Sequence, residues 1–130
     1  KGKIKDKLYK NEQIMLDGAH AETDAENLAN YLRNIKIPKY AIWAMMKNKE
    51  PYLFIKKFKG VFKKIITMPI ESEKNSMSAN DLKIIAKKNA FNIDEANNLN
   101  EAIRKITSKD KKLIICIGSL YNVGNILNKN

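Results

Sequence analysis

The chain has 130 residues, of which 44% are hydrophobic, and a formal net charge of +11. This length suits one domain with a core of its own, and no apolar run approaches the roughly 20 residues that a membrane-spanning helix needs. Cys116 is the one cysteine, which excludes a disulfide within the chain. Since no secretory signal peptide is visible either, we expect a cytoplasmic protein.

The positive charge does not by itself indicate nucleic-acid binding. Only Arg33 and Arg104 are arginines among the 25 basic residues, whereas nucleic-acid surfaces favour the planar guanidinium group. Between Arg33 and Lys64 there are ten basic residues and one acid, Glu50. Such a segment can attract polyphosphates or polyglutamates, although solvated lysines on exposed faces are the simpler interpretation.

The first half of the chain alternates between short apolar runs and helical periodicity. Residues 1–12 are interpreted as a linker or boundary segment, and residues 13–130 as a single α/β domain. Within it we predict a strand at QIMLD and a helix at TDAENLANYLRN. A strand at KYAIWAMM, a helix at PYLFIKKF with proline in its first turn, and a strand at VFKKIITM follow. Tyr40 and Trp43 are predicted to be core residues of their strand.

The second half continues the same alternation. PIESEKNSM is predicted to be a polar loop, and Ser78 to cap a helix at NDLKIIAKKNA. FNIDEA fits a short strand or a turn, NLNEAIRKI a helix, KKLIICIG a strand buried on both faces, and SLYNVGNIL a terminal helix. Strands that alternate with helices over short connections are typical of a mostly parallel α/β sheet with helices on both faces.

Polar residues follow three of the predicted strands. Asp17 and His20 follow the first strand, Lys49 the second and Ser119 the last. Because ligands of such sheets bind beyond the carboxyl ends of the strands, we expect these four residues on one rim. Each also has a simpler interpretation: a strand-exit turn for Asp17 and His20, a solvated side chain for Lys49, and a helix cap for Ser119.

The chain lacks the motifs with which proteins usually bind phosphates or zinc. The five glycines have the wrong spacing for a P-loop or a dinucleotide-binding loop. A single histidine and a single cysteine cannot form a zinc site of the usual kind. We therefore expect no metal site and no complete nucleotide site in this chain alone.

Three stretches together carry a family resemblance over essentially the whole chain. MLDGAHAETDAENLANYL, AIWAMMKNKE and IICIGSLYNVGNIL occur in this order. They resemble the D-G/V-A-H-N, G-M-x-x-K-D and G-S-L-Y motifs in the C-terminal domain of folylpolyglutamate synthase / dihydrofolate synthase, a member of the Mur ligase superfamily. Three positions depart from those motifs: Ala21 replaces Asn, Ala44 replaces Gly, and Glu50 replaces Asp.

The resemblance implies a three-layer Rossmann-like domain of the Mur ligase C-terminal type. In that family ATP phosphorylates a carboxylate of dihydropteroate or folate, and the amine of L-glutamate attacks the acyl phosphate. The resemblance further implies that an N-terminal P-loop domain, in the same chain or a separate one, binds ATP and magnesium. This domain would then be inactive alone, without a specific nucleic-acid or membrane partner.

The resemblance also implies roles for the four rim residues. Asp17 and His20 match family positions that face ATP, whereas Lys49 and Ser119 match positions that hold the carboxylates of the amino-acid substrate. A lysine charge and a helix-start hydroxyl suit a dianionic amino acid.

Two other classes of function remain as alternatives. A stand-alone α/β module that binds a nucleotide or an anion would show measurable nucleotide affinity without a partner domain. A basic protein associated with nucleic acid would show a binding constant that falls steeply with salt concentration.

Overall fold

The computed structural model describes residues 12–16, 22–70, 73–89, 92–108 and 110–118. Their strands are β1 (Glu12–Leu16), β2 (Lys39–Ala44), β3 (Lys64–Thr67), β4 (Ile93–Glu95) and β5 (Lys112–Gly118). Their α-helices are α1 (Glu22–Arg33), α2 (Pro51–Lys56), α3 (Ala79–Lys87) and α4 (Leu99–Ile106), and a 3₁₀ helix spans Lys47–Lys49.

The five strands form one sheet in the order β1-β5-β2-β3-β4. Every neighbouring pair is parallel, which confirms the predicted α/β class. FNIDEA contributes the short edge strand β4. The strongest apolar run of the sequence forms β5, which lies between β1 and β2 although it is the last of the described strands in the chain. All seven of its residues are buried, as a strand inside a parallel sheet requires.

The sheet separates two hydrophobic cores. Trp43 and Ile115 point to one face, where they pack with residues of α1, α2 and α3. Ile42 and Cys116 point to the other face, where they pack with α4. Successive side chains of a strand alternate between faces, so β2 and β5 supply both cores. The three-layer arrangement expected from the sequence is therefore confirmed.

Two helices begin at residues that satisfy their first free amides. The Ser78 hydroxyl accepts a hydrogen bond from the Asp81 backbone N–H at 3.0 Å, which confirms the predicted cap of α3. At the start of α4, the Asn98 side-chain oxygen accepts from the Glu101 N–H at 2.9 Å. Caps of this kind stabilise a helix by about 1 kcal/mol.

Some sequence predictions lie outside the described residues. They are the terminal helix at SLYNVGNIL and, apart from Glu12 in β1, the linker proposed for residues 1–12. The domain boundary therefore stays a prediction. Among the helices that the structure describes, none has the length and apolar character to cross a membrane.

Cys116 is expected to be chemically inert in the folded protein. Burial in the second core raises the pKa of its thiol from 9.0 to about 12, and the thiolate is the reactive form. At pH 8, a thiol reagent should modify the native chain at least about a hundredfold more slowly than the urea-unfolded chain. The measurement is unambiguous because the chain has no other cysteine.

The raised pKa of the Cys116 thiol also makes the stability of the native state depend on pH. The native state holds the thiol proton more tightly than the unfolded chain, so this contribution to stability is complete below pH 9 and declines as the pH rises from there towards 12.

In the modification experiment, equal rates for the native and the unfolded chain would contradict the buried placement of Cys116.

Candidate functional site

The carboxyl ends of the central strands lie side by side. Leu16 at the end of β1 pairs with Cys116 of β5, and Ala44 at the end of β2 pairs with Gly118. Ligands of parallel α/β sheets bind at this edge, beyond the strand ends. The chain that follows β1, β2 and β5 carries the four residues predicted from the sequence.

The structure describes one of those four residues. Asp17, His20 and Ser119 lie outside the described residues, so their placement on the rim stays a prediction. Lys49 is described, and it lies beyond the carboxyl end of β2 on the 3₁₀ helix.

The positively charged side chain of Lys49 could bind an anion at this edge. Its side chain is half-buried, and its backbone N–H donates to the Met46 carbonyl at 3.2 Å. Within the described residues, the Lys49 ammonium group has no hydrogen bond and no ion pair. A cation in this position can receive an anionic group of a ligand.

The residue after Lys49 has an unusual backbone conformation. Glu50 adopts φ 51° and ψ 63°, and no other non-glycine residue in the described part of the chain has a positive φ. This left-handed conformation costs roughly 1–2 kcal/mol for a residue with a Cβ atom. It turns the chain from the 3₁₀ helix into α2, where Pro51 occupies the first turn and Phe54 N–H donates to the Glu50 carbonyl at 3.1 Å. Strain of this kind is often stored at functional sites.

The predicted polar loop has a regular contact with the chain before Lys49. Residues 75–77 run antiparallel to residues 45–47, and we call these two segments the rim clip. Lys47 N–H donates to the Asn75 carbonyl at 2.8 Å, and Met77 N–H donates to the Met45 carbonyl at 2.9 Å. Met46 and Ser76 form the bridge between them. A single β-bridge involves too few residues to produce a periodic pattern in the sequence, so the sequence analysis did not predict it.

Gly118 brings β5 unusually close to β2 at the same edge. Its φ is 114°, and a Cβ atom at this position would lie 1.7 Å from the Ala44 carbonyl oxygen. No real side chain tolerates such a distance, so the close approach requires glycine. The sequence indicated Gly118 as the end of a strand and as part of the G-S-L-Y motif, but not this close approach.

The side chain of Trp43 packs next to this edge of the sheet. It is fully buried, as predicted, and it stacks on Phe54 with the ring centroids 6.2 Å apart. Its indole nitrogen has no hydrogen-bond partner among the described residues. The indole Cδ1 atom would lie 3.3 Å from a Cβ atom at Gly118, so the buried indole borders the end of β5.

The basic segment between Arg33 and Lys64 is divided between two edges of the sheet. Lys47 and Lys49 lie beyond the carboxyl end of β2, whereas Lys39 and Lys64 begin strands at the amino edge. Arg33 at the end of α1 donates to the Lys57 carbonyl at 3.0 Å. The positive charge of this segment is therefore not concentrated at the carboxyl edge.

The described residues offer no metal site. No group of three or more His, Cys, Asp and Glu side chains in that part of the chain could hold a metal ion.

The fold matches that of known folate enzymes. The Mycobacterium tuberculosis folylpolyglutamate synthase complexed with ADP has a TM-score of 0.79 at 18% identity, over 89% of this chain and 29% of that chain. The bifunctional Yersinia pestis folylpolyglutamate synthase/dihydrofolate synthase, complexed with AMPPNP and Mn ion, has a TM-score of 0.74 at 19% identity, over 89% and 28%.

A third structure is more similar in sequence. The Thermotoga maritima folylpolyglutamate synthase is 26% identical with a TM-score of 0.74, over 88% of this chain and 27% of that chain. This chain thus spans less than a third of the length of the solved enzymes that it matches.

The sequence itself decides the family. No curated protein sequence matches the chain at a significant level. The sequence model of the dihydrofolate synthetase C-terminal domain, however, matches residues 2–129. Since this match covers nearly the whole chain and the folds agree, the chain belongs to the family of dihydrofolate synthetase C-terminal domains.

Proposed function

We propose that this domain closes over ATP and helps to bind the incoming L-glutamate in an ATP-dependent folate:glutamate ligase. The observation that carries the proposal is Lys49, a half-buried cation at the carboxyl edge without an ion-pair partner among the described residues. Glutamate brings two carboxylates, and a charge-assisted hydrogen bond from an ammonium group suits one of them.

The four rim residues divide between the two ligands. In this proposal Lys49 and Ser119 hold the carboxylates of glutamate, while Asp17 and His20 contact the nucleotide. The ends of β1, β2 and β5, which these residues follow, are neighbours in the sheet, and this adjacency supports a shared site. By holding glutamate, Lys49 and Ser119 would orient its amine towards the acyl phosphate of dihydropteroate or folate.

The phosphate cradle and the magnesium site belong to a partner domain in this proposal. The described residues contain no metal-binding cluster, and the sequence contains no P-loop. The solved relatives are more than three times as long as the matched part, and one of them was complexed with AMPPNP and Mn ion. An N-terminal P-loop domain, in the same chain or a separate one, would supply both sites. This domain would be inactive alone and act in the cytoplasm.

Replacing Lys49 by alanine tests the proposal in the assembled ligase, that is, this domain together with its P-loop domain. The KM for glutamate should rise roughly ten- to hundredfold, since a hydrogen bond to a charged group contributes about 1.5–3 kcal/mol. The kcat should change little, because the contact is equally strong in the ground state and the transition state. Steady-state kinetics with glutamate and ATP varied separately would measure both.

Lys47→Ala is the matched control, because Lys47 lies on the same 3₁₀ helix with its side chain exposed. It should leave the KM for glutamate unchanged. A raised KM for ATP in Lys49→Ala, with the KM for glutamate unaltered, would assign Lys49 to the nucleotide instead.

A further inference from the structure

We infer that Ser76 is a positioning residue for Lys49, because its hydroxyl group fastens the rim clip from which the 3₁₀ helix starts. The inference rests on the proposed role of Lys49 in glutamate binding. Ser76 lies in the stretch that the sequence indicated only as a polar loop, and nothing in the local pattern distinguishes it from its neighbours.

The Ser76 hydroxyl closes the loop between β3 and α3. It accepts a hydrogen bond from the Ile70 backbone N–H at 2.7 Å and donates one to the Met77 carbonyl at 2.9 Å. Ile70 is 4% exposed and belongs to the second core. One half-buried hydroxyl group thus ties the end of the loop to a residue anchored in the core.

The loop in turn holds the chain that leads to Lys49. The rim clip joins residues 75–77 to residues 45–47 through two backbone hydrogen bonds of 2.8 and 2.9 Å. Met46, at its centre, precedes the 3₁₀ helix, and its carbonyl accepts from Lys49 N–H at 3.2 Å.

The short helix has few stabilising hydrogen bonds of its own. No side chain caps its start at Met46, and a helix of three residues has too few internal hydrogen bonds to be stable by itself. Its far end is the strained Glu50. The direction of the Lys49 side chain therefore depends on the segments at the two ends of the helix. These are the rim clip, with Met46 buried in the second core, and the turn at Glu50.

Removal of the Ser76 hydroxyl should weaken glutamate binding and leave the chemical step intact. The Ile70 N–H would lose its partner, the rim clip would open more often, and Lys49 would be less well placed for a carboxylate. In the assembled ligase we expect Ser76→Ala to raise the KM for glutamate roughly three- to tenfold, with kcat and the KM for ATP changed less than about twofold. Ser76→Thr keeps the hydroxyl and should restore most of the affinity.

Ser78→Ala is the matched control. This serine lies two residues further along, and its hydroxyl also accepts one backbone hydrogen bond, from Asp81 at 3.0 Å. That bond caps α3 and does not touch the rim clip, so Ser78→Ala should leave the KM for glutamate unchanged. An equal rise of the KM for glutamate in Ser76→Ala and Ser78→Ala would mean that Ser76 only stabilises the fold in general, and would overturn the inference.

Two further measurements separate this inference from the function on which it rests. In a Lys49→Ala background, Ser76→Ala should not raise the KM for glutamate further, because the two residues act through one contact. An additional rise there would show that Ser76 acts without Lys49, and would overturn the inference while leaving the role of Lys49 intact.

Amide hydrogen exchange in the same ligase tests the rim clip without reference to glutamate. The amides of Lys47 and Met77 should exchange faster in Ser76→Ala than in Ser78→Ala. Unchanged exchange would overturn the inference even if Lys49→Ala raises the KM for glutamate. If Lys49→Ala leaves that KM unaltered, the proposed function fails and the positioning role fails with it, whatever the exchange shows.

Discussion

Replacement of Gly118 by alanine should lower the free energy of unfolding by about 2–6 kcal/mol. Overpacking costs about 1–3 kcal/mol, and a strained φ angle costs about 1–3 kcal/mol. The new Cβ atom would lie 1.7 Å from the Ala44 carbonyl oxygen and 2.9 Å from its carbon. Both atoms belong to the backbone of a central strand, so no side chain can rotate away, and β5 must separate from β2.

Gly60→Ala is the control that isolates the steric part of this effect. Gly60 also has a positive φ, 78°, but nothing lies within 4 Å of a Cβ atom built there. Its replacement by alanine should therefore lower the free energy of unfolding only by the cost of the positive φ angle, about 1–2 kcal/mol. Urea unfolding of the two variants measures the difference. Equal losses of unfolding free energy in the two variants would mean that the close approach to Ala44 is not the reason why position 118 requires glycine.

Phe54→Ala should be the most destabilising change among the core side chains of α2. Phe54 is 1% exposed, and its ring lies between Trp43 and Phe58, with centroids 6.2 and 5.4 Å away. Truncation of a buried phenylalanine costs about 3–5 kcal/mol, because the neighbouring side chains fill the cavity only in part. Since α2 follows Glu50 directly, the loss should also loosen the segment that carries Lys49.

Tyr52→Ala is the control on the same helix. Tyr52 is 46% exposed, so its truncation should cost less than about 1 kcal/mol. Fluorescence of Trp43, the one tryptophan of the chain, reports unfolding directly from the affected core. A smaller loss for Phe54→Ala than for Tyr52→Ala would contradict the packing of α2 against β2.

Periodicity predicted the sheet well because its central strands are apolar on both faces. KKLIICIG and KYAIWAMM could be recognised as β5 and β2 without knowledge of their neighbours. The prediction for β2 was two residues too long. Met45 and Met46 are buried like the strand before them, but they lie beyond the parallel pairing and the second enters the antiparallel bridge to Ser76. Hydrophobic pattern reports burial, and it cannot tell which backbone a residue pairs with.

The position of Lys49 was predictable from the sequence, and the construction of the edge around it was less so. Lys49 follows a strand, and the rule for parallel sheets placed it at the carboxyl edge, where the structure has it. The glycine requirement at Gly118 arises from a contact between distant parts of the chain, and the left-handed turn occurs at a glutamate, a residue type that does not signal it. No local preference encodes either feature. Asp17, His20 and Ser119 remain predictions.

The position of β5 in the sheet has a consequence for synthesis. A ribosome makes β1 and β2 early, and β2 can pair with β3 as soon as that strand emerges. β1 and the other edge of β2, however, lack their neighbour in the sheet until residues 112–118 have emerged. Contacts between such distant segments form slowly, and until then the apolar edges of both strands stay exposed to aggregation. The nascent domain therefore carries unpaired strand edges until almost the whole described chain has been translated.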